Sequence, residues 1–190
     1  DIDNSPIEKV ISKEKNYSIY DFKKPNRITA KQLKAFSTMH DKMLREFIND
    51  LSSMLRKIVD VKLYSIEQMT YGEFILSIPQ ITSLNTLSIK PLEGRIVVEC
   101  NPAISHKIIA ELLGSGAVNT SDNIDRELTE IEIEILEHFY KMFIKNLYKS
   151  WNDVSTLNFK IESRDTNANA IQIVSDHEIV LLVVLEITID

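Results

Sequence analysis

The sequence predicts an α/β domain built as a pseudo-two-fold repeat, with a central, mostly antiparallel sheet flanked by long helices. Two observations carry that expectation. Helix starts with the same capping chemistry stand at Thr29 and Thr129, and each opens a long apolar stripe at spacings of three and four. Each stripe then gives way to short extended segments. With 190 residues, 44% of them hydrophobic, the chain is long enough to bury its own core.

The elements follow in order. Residues 1–27 are polar and unpatterned apart from a small apolar cluster at Tyr17, Ile19, Tyr20 and Phe22, and read as an extended arm. At Thr29 the hydroxyl caps a helix while Gln32 reaches back to the Thr29 amide, with Ile28 and Leu33 as the apolar staple. The stripe Leu33, Phe36, Met43 or Leu44, Phe47, Leu51, Met54 or Leu55, and Ile58 makes one long amphipathic helix. Extended segments are expected at Val61 to Ile66, Ser83 to Ile89 and Arg95 to Cys100, with a short helix near Tyr71 to Ser77. Pro91 and Gly94 mark a hairpin turn.

Asn101-Pro102 opens a helix with Ile104, Ile108 and Leu112 on its buried stripe, which closes in Leu113-Gly114-Ser115-Gly116. Gly114 reads either as a left-handed cap or as part of a binding loop, because half of the four glycines lie within three positions here. Onward to Asp125 there is no periodicity. At Thr129 the capping box recurs with Glu132, and the helix continues through Leu136, Phe139, Tyr140, Phe143, Leu147 and Trp151. Glutamates in its first turns and lysines in its last complement the helix dipole. Extended segments are expected again at Thr156 to Glu162, Ala170 to Val174 and Ile179 to Ile189. The run from Ile179 to Leu185 is apolar on both faces, as in a central strand. The division is thus an arm over 1–27 and a domain over 28–190, with halves 28–118 and 119–190.

Composition bounds the chemistry. A net charge of −6 argues against general nucleic-acid binding, and no apolar run approaches the roughly 20 residues of a membrane helix. No signal peptide opens the chain, which starts at Asp1 and reads as a fragment. The glycines match neither a dinucleotide fingerprint nor a phosphate-binding loop. His40, His106, His138 and His177 are scattered, so no metal site is expected. Cys100 ends a strand pattern and reads as a buried structural thiol. The default expectation is a protein that is not an enzyme and carries no cofactor.

Several stretches together resemble the FliM family of flagellar motor switch proteins. They are the run from Tyr20 through Phe22, Pro25 and Arg27 to Ile28; Ser65 to Phe74; Pro91 to Gly94; Asn101-Pro102; and Arg126 to Glu132. The resemblance implies a cytoplasmic rotor component, peripheral to the inner membrane at the flagellar basal body, with a middle domain similar to the chemotaxis phosphatases CheC and CheX. It implies contact with FliG through a Gly-Gly-x-Gly loop. Gly114 matches the first glycine, Ser115 stands at the second, Gly116 falls on the variable position and Ala117 stands at the last. It further implies contact with neighbouring FliM copies, with FliN through a C-terminal domain absent here, and with phospho-CheY mainly through an N-terminal peptide absent here. Asp1-Ile2-Asp3 does not resemble the core of that peptide.

The same resemblance raises an enzymatic alternative, a CheC/CheX-like phosphatase acting on phospho-CheY. Glu46 and Asn49 share the spacing with which those relatives orient a water in line with an acyl phosphate, but Lys42 stands where an acid or serine belongs. Lys42, Glu46 and Asn49 are therefore read either as a vestigial phosphatase face or as a self-association face. The expected function is a non-catalytic module of the switch complex, the C-ring. It binds FliG and neighbouring copies and transmits the phospho-CheY signal that sets rotation direction in chemotaxis.

Overall fold

Reciprocal capping fixes where both long helices begin. The computed structural model describes residues 28–114 and 126–190. The expected arm over 1–27, the residues Ser115, Gly116 and Ala117, and the boundary between the halves lie outside the described residues. In the first helix, α1 (Ala30–Leu55), the Gln32 amide donates to the Thr29 hydroxyl, and the Thr29 amide donates to Gln32 Oε1 at 2.9 Å. The helix stops at Arg56, which takes a left-handed conformation with φ 54°, so Ile58 lies beyond it and is exposed.

The last helix, α4 (Glu130–Asn152), starts with the same box between Thr129 and Glu132. The two helices run antiparallel. Phe47 meets Phe139 and Phe143 edge-on, with centroids 5.8 and 5.4 Å apart, while Phe36 meets Trp151 near the other end. Phe47 and Leu51 are fully buried there and, with Leu136 and Phe139, form the centre of the main core.

The remaining elements are β1 (Val59–Thr70), α2 (Tyr71–Ser77), β2 (Ile81–Lys90), β3 (Arg95–Cys100), α3 (Pro102–Leu112), β4 (Asn158–Asn167) and β5 (Ile179–Ile189). Among the described residues the strands form two antiparallel ladders, β1 with β5 and β3-β2-β4. Each ladder joins a strand from before the linker to one from after it, and the register repeats. Leu63 opposite Leu185 and Ser65 opposite Val184 recur 98 positions away (63 to 161, 185 to 87) as Ile161 opposite Leu87 and Ser163 opposite Thr86. Even the β-bulge recurs, between Leu63 and Ser65 in one ladder and at the Thr86/Leu87 step in the other. Exchanging the halves thus maps one ladder onto the other.

Two local expectations change. Ala170 to Val174 is not a strand. Asn167 Oδ1 accepts from the Asn169 amide and starts a 3₁₀ turn over Ala168–Ala170, and the following residues are irregular, with Ile171 buried under β2 in a second small core. The apolar run from Ile179 to Leu185 pairs with β1 alone among the described strands, and its residues are half-buried rather than enclosed.

Candidate functional site

The linker leaves the core at the end of α3, and the structure shows how that end is built. Asn101 Oδ1 accepts from the Ala103 amide at 3.0 Å, and Pro102 occupies the first turn, where its missing amide costs nothing. Ser105 donates to the Cys100 carbonyl at 3.0 Å and, with Ile108 and Ile109, is buried against the sheet and α4. Lys57 pairs with Glu111 at 3.5 Å, joining the turn after α1 to the last turn of α3, and Lys107 donates to the Ile189 carbonyl.

Gly114 sits at the end of this brace with φ +72°, and its amide donates to the Glu111 carbonyl at 3.1 Å. Among the described residues, a Cβ added there would meet nothing within 4 Å. The glycine therefore closes the helix, and no described residue crowds its Cα. Leu113 beside it is 63% exposed.

The far end of the linker is held differently. Both terminal nitrogens of Arg126 donate to the Glu132 carboxylate, at 2.8 and 2.6 Å, while Glu132 also accepts from the Thr129 amide. That arginine, then the capping hydrogen bonds, holds the carboxyl down to about 2. His106 of α3 faces the same corner. Burial and then the Arg126 charge lower its pKa, and its Nε2 has no hydrogen-bond partner among the described residues. A small cleft between α3, β2 and the start of α4 is lined by Thr82, Ser105, His106 and Arg126.

Lys42 and Glu46 fall on the seam between the long helices. Lys42 pairs with Asp153 and Glu46 with Lys149 at 2.8 Å, each raising the pKa of its lysine. One turn further along α1, Asp50 accepts from Asn146 at 3.0 Å. Asn49 is exposed and stands outside this row of pairs. Glu46 and Asn49, whose spacing suggested a water-orienting pair, thus differ in setting: Glu46 pairs with Lys149, while Asn49 is exposed. Nothing in the sequence indicated this polar row, since pairing across 103 residues leaves no local spacing signal. The Arg126 clamp did have one: an arginine three residues before a capping box.

Buried polar groups elsewhere are structural. Tyr140 donates to the Ser83 carbonyl and hydroxyl at 3.0 and 2.9 Å, and burial raises its pKa. Burial likewise pushes the Cys100 thiol up to about 12, which keeps it protonated and unreactive. Among the described residues, no three His, Cys, Asp or Glu side chains gather as metal ligands, and no helix is long and apolar enough to cross a membrane.

Comparison with known proteins gives concordant matches. The family model described as "Flagellar motor switch protein FliM" matches residues 29–190. The FliM of Borreliella burgdorferi is 34% identical over 96% of this chain and 52% of its own length, so the chain spans about half the length of the curated relatives it matches. Among solved structures, the FliM middle domain from H. pylori is similar at a TM-score of 0.77, with 38% identity over 85% of this chain and 87% of that one. A FliG-FliM complex from H. pylori is similar at 0.81, with 39% identity over 86% and 88%.

Proposed function

The chain belongs to the FliM family of flagellar motor switch proteins, and from that premise we propose that it is the part of a switch-complex subunit that docks FliG. The observation that carries this reading is Gly114. It takes a left-handed conformation, with no described residue crowding its Cα, at a helix end braced by the Lys57–Glu111 pair, where the linker departs toward Ser115, Gly116 and Ala117. The solved complex of a 39% identical relative with FliG supports the partner.

In this reading the module is not a catalyst. The carboxylate of Glu46 is committed to Lys149 and Lys42 to Asp153, so the phosphatase alternative is left with Asn49 alone on its face. Outward surfaces of α1 and α4 meet neighbouring copies in a ring, a head-to-tail contact that propagates. The ring is cytoplasmic and peripheral to the inner membrane at the basal body. In the same reading FliN is contacted by a C-terminal domain and phospho-CheY mainly by an N-terminal peptide. A bound regulator shifts rotation direction only through its differential affinity for the two states of the ring.

The test is binding of the chain to FliG by co-purification and calorimetry. Replacing Gly114 and Gly116 together by bulky residues is expected to abolish binding while far-UV circular dichroism keeps its native shape. Binding that survives the double substitution refutes the loop as the docking point.

A further inference from the structure

Thr82 of β2 stands between two acceptors and has a single hydroxyl proton to donate. Its Oγ1 lies 2.5 Å from Glu99 Oε1 and 3.1 Å from the Cys100 carbonyl. That carbonyl also accepts from Ser105 at 3.0 Å, so a continuous chain of polar groups runs from the Glu99 carboxyl through Thr82 and Cys100 to the first turn of α3. An ionised Glu99 can only accept, and it draws the Thr82 proton away from Cys100. A protonated Glu99 donates to Thr82 and frees the Thr82 proton for Cys100, so both contacts are filled.

We infer that Glu99 is a proton-responsive group, whose ionisation turns the Thr82 hydroxyl from the Cys100 carbonyl to the carboxylate and thereby changes how the end of β3 holds α3. Its surroundings favour the uncharged acid. Strand alternation puts Glu99 on the face of Val97, which packs with Ile78, Ala168 and Ile171 on the second small core; Leu84, opposite Glu99 in the ladder, belongs to the same core. Burial raises its pKa above the ordinary 4.5, against the pull of the Thr82 hydrogen bond. On the same face, Arg95 of β3 is held by Glu162, and Asp165 of β4, across Leu84, accepts from Ser163. Cys100 and, on α4, Tyr140 lie on the other face, where burial raises both and keeps them neutral. Tyr71 of α2 donates to the Ile171 carbonyl behind the small core. His106 of α3 and Arg126, itself bound to Glu132, line the cleft that Thr82 borders.

The experiment follows the Glu99 carboxyl carbon and the Thr82, Cys100 and Ser105 amides of the 190-residue chain by NMR between about pH 4 and pH 8. Glu99 is expected to titrate with a midpoint above 4.5, and the Ser105 amide to shift with that same midpoint. Thr82→Val is expected to abolish the Ser105 shift while Glu99 still titrates, and Thr82→Ser, which keeps the hydroxyl, to retain it. Glu99→Gln should abolish the shift as well, which separates it from titration of the neighbouring His106. The Gln amide donates to Thr82 at every pH. Because the folded-state pKa is raised, the stability tied to the protonated acid is complete below 4.5 and is lost as the pH rises through the Glu99 midpoint. Glu99→Gln is therefore expected to unfold at the same urea concentration as wild type near pH 4 and at a higher one near pH 8. A Glu99 midpoint at or below 4.5 overturns the inference. So does a Ser105 shift that survives Thr82→Val or Glu99→Gln, or a Glu99→Gln stability difference that does not change with pH.

Discussion

Consider removing Glu132, the residue through which the far end of the linker is fastened to α4. It completes the capping box with Thr129 and takes two hydrogen bonds from Arg126. Losing a box of this kind costs ~1 kcal/mol. At about 1.4 kcal/mol per unit, the fall of its pKa from 4.5 to about 2 is a sizeable stabilisation. Because Arg126 is 40% exposed, solvent screening reduces this ion-pair part to ~1 kcal/mol. Glu132→Ala is then expected to lose ~2 kcal/mol in urea unfolding followed by circular dichroism at pH 7.

The sign of the pH dependence follows from the depressed pKa. The ion-pair contribution is complete above the ordinary carboxylate pKa of 4.5 and disappears as the pH falls through about 2. Glu132→Gln keeps an acceptor for the Thr129 amide, as Gln32 does in α1, but loses the charge. Its deficit should be ~1 kcal/mol at pH 7 and vanish near pH 2. A deficit independent of pH across that range would refute the assignment of the stabilisation to the Arg126 pair.

Two further outcomes are expected. Phe47→Ala removes a fully buried ring packed edge-on against Phe139 and Phe143, and should cost about 3–5 kcal/mol in the same unfolding assay; a loss below 1 kcal/mol would mean the helix seam is not the core. Cys100 should resist iodoacetamide at pH 8 and be labelled only at the rate of unfolding, checked by mass spectrometry with and without urea, because its thiol is buried and raised to about 12.

Local chemistry made much of the fold legible in advance. The capping boxes at Thr29 and Thr129 act over three residues, so both helix starts could be read directly. Apolar stripes located the helix faces that Phe47, Leu51, Leu136 and Phe139 bury, and β3 and β5 keep the limits their alternation and apolar runs suggested. Gly114 was legible as an unusual backbone position, because a glycine after an apolar helical stripe has few other uses. The residues near Ala170 were not, since an Asn side chain competing for a backbone amide outweighs weak strand propensity.

Sequence by itself determined the helix caps, the repeat and the glycine that closes α3, because each depends on neighbours within a few residues or on a pattern that recurs. Tertiary structure decided which strands share a ladder, that Lys42 and Glu46 pair with Asp153 and Lys149 across the helix seam, and that Lys57 reaches Glu111 at the end of α3. Those outcomes depend on distances between residues far apart in the chain. Such distances are set only when the two halves close on one another and the ion pairs between them find their partners.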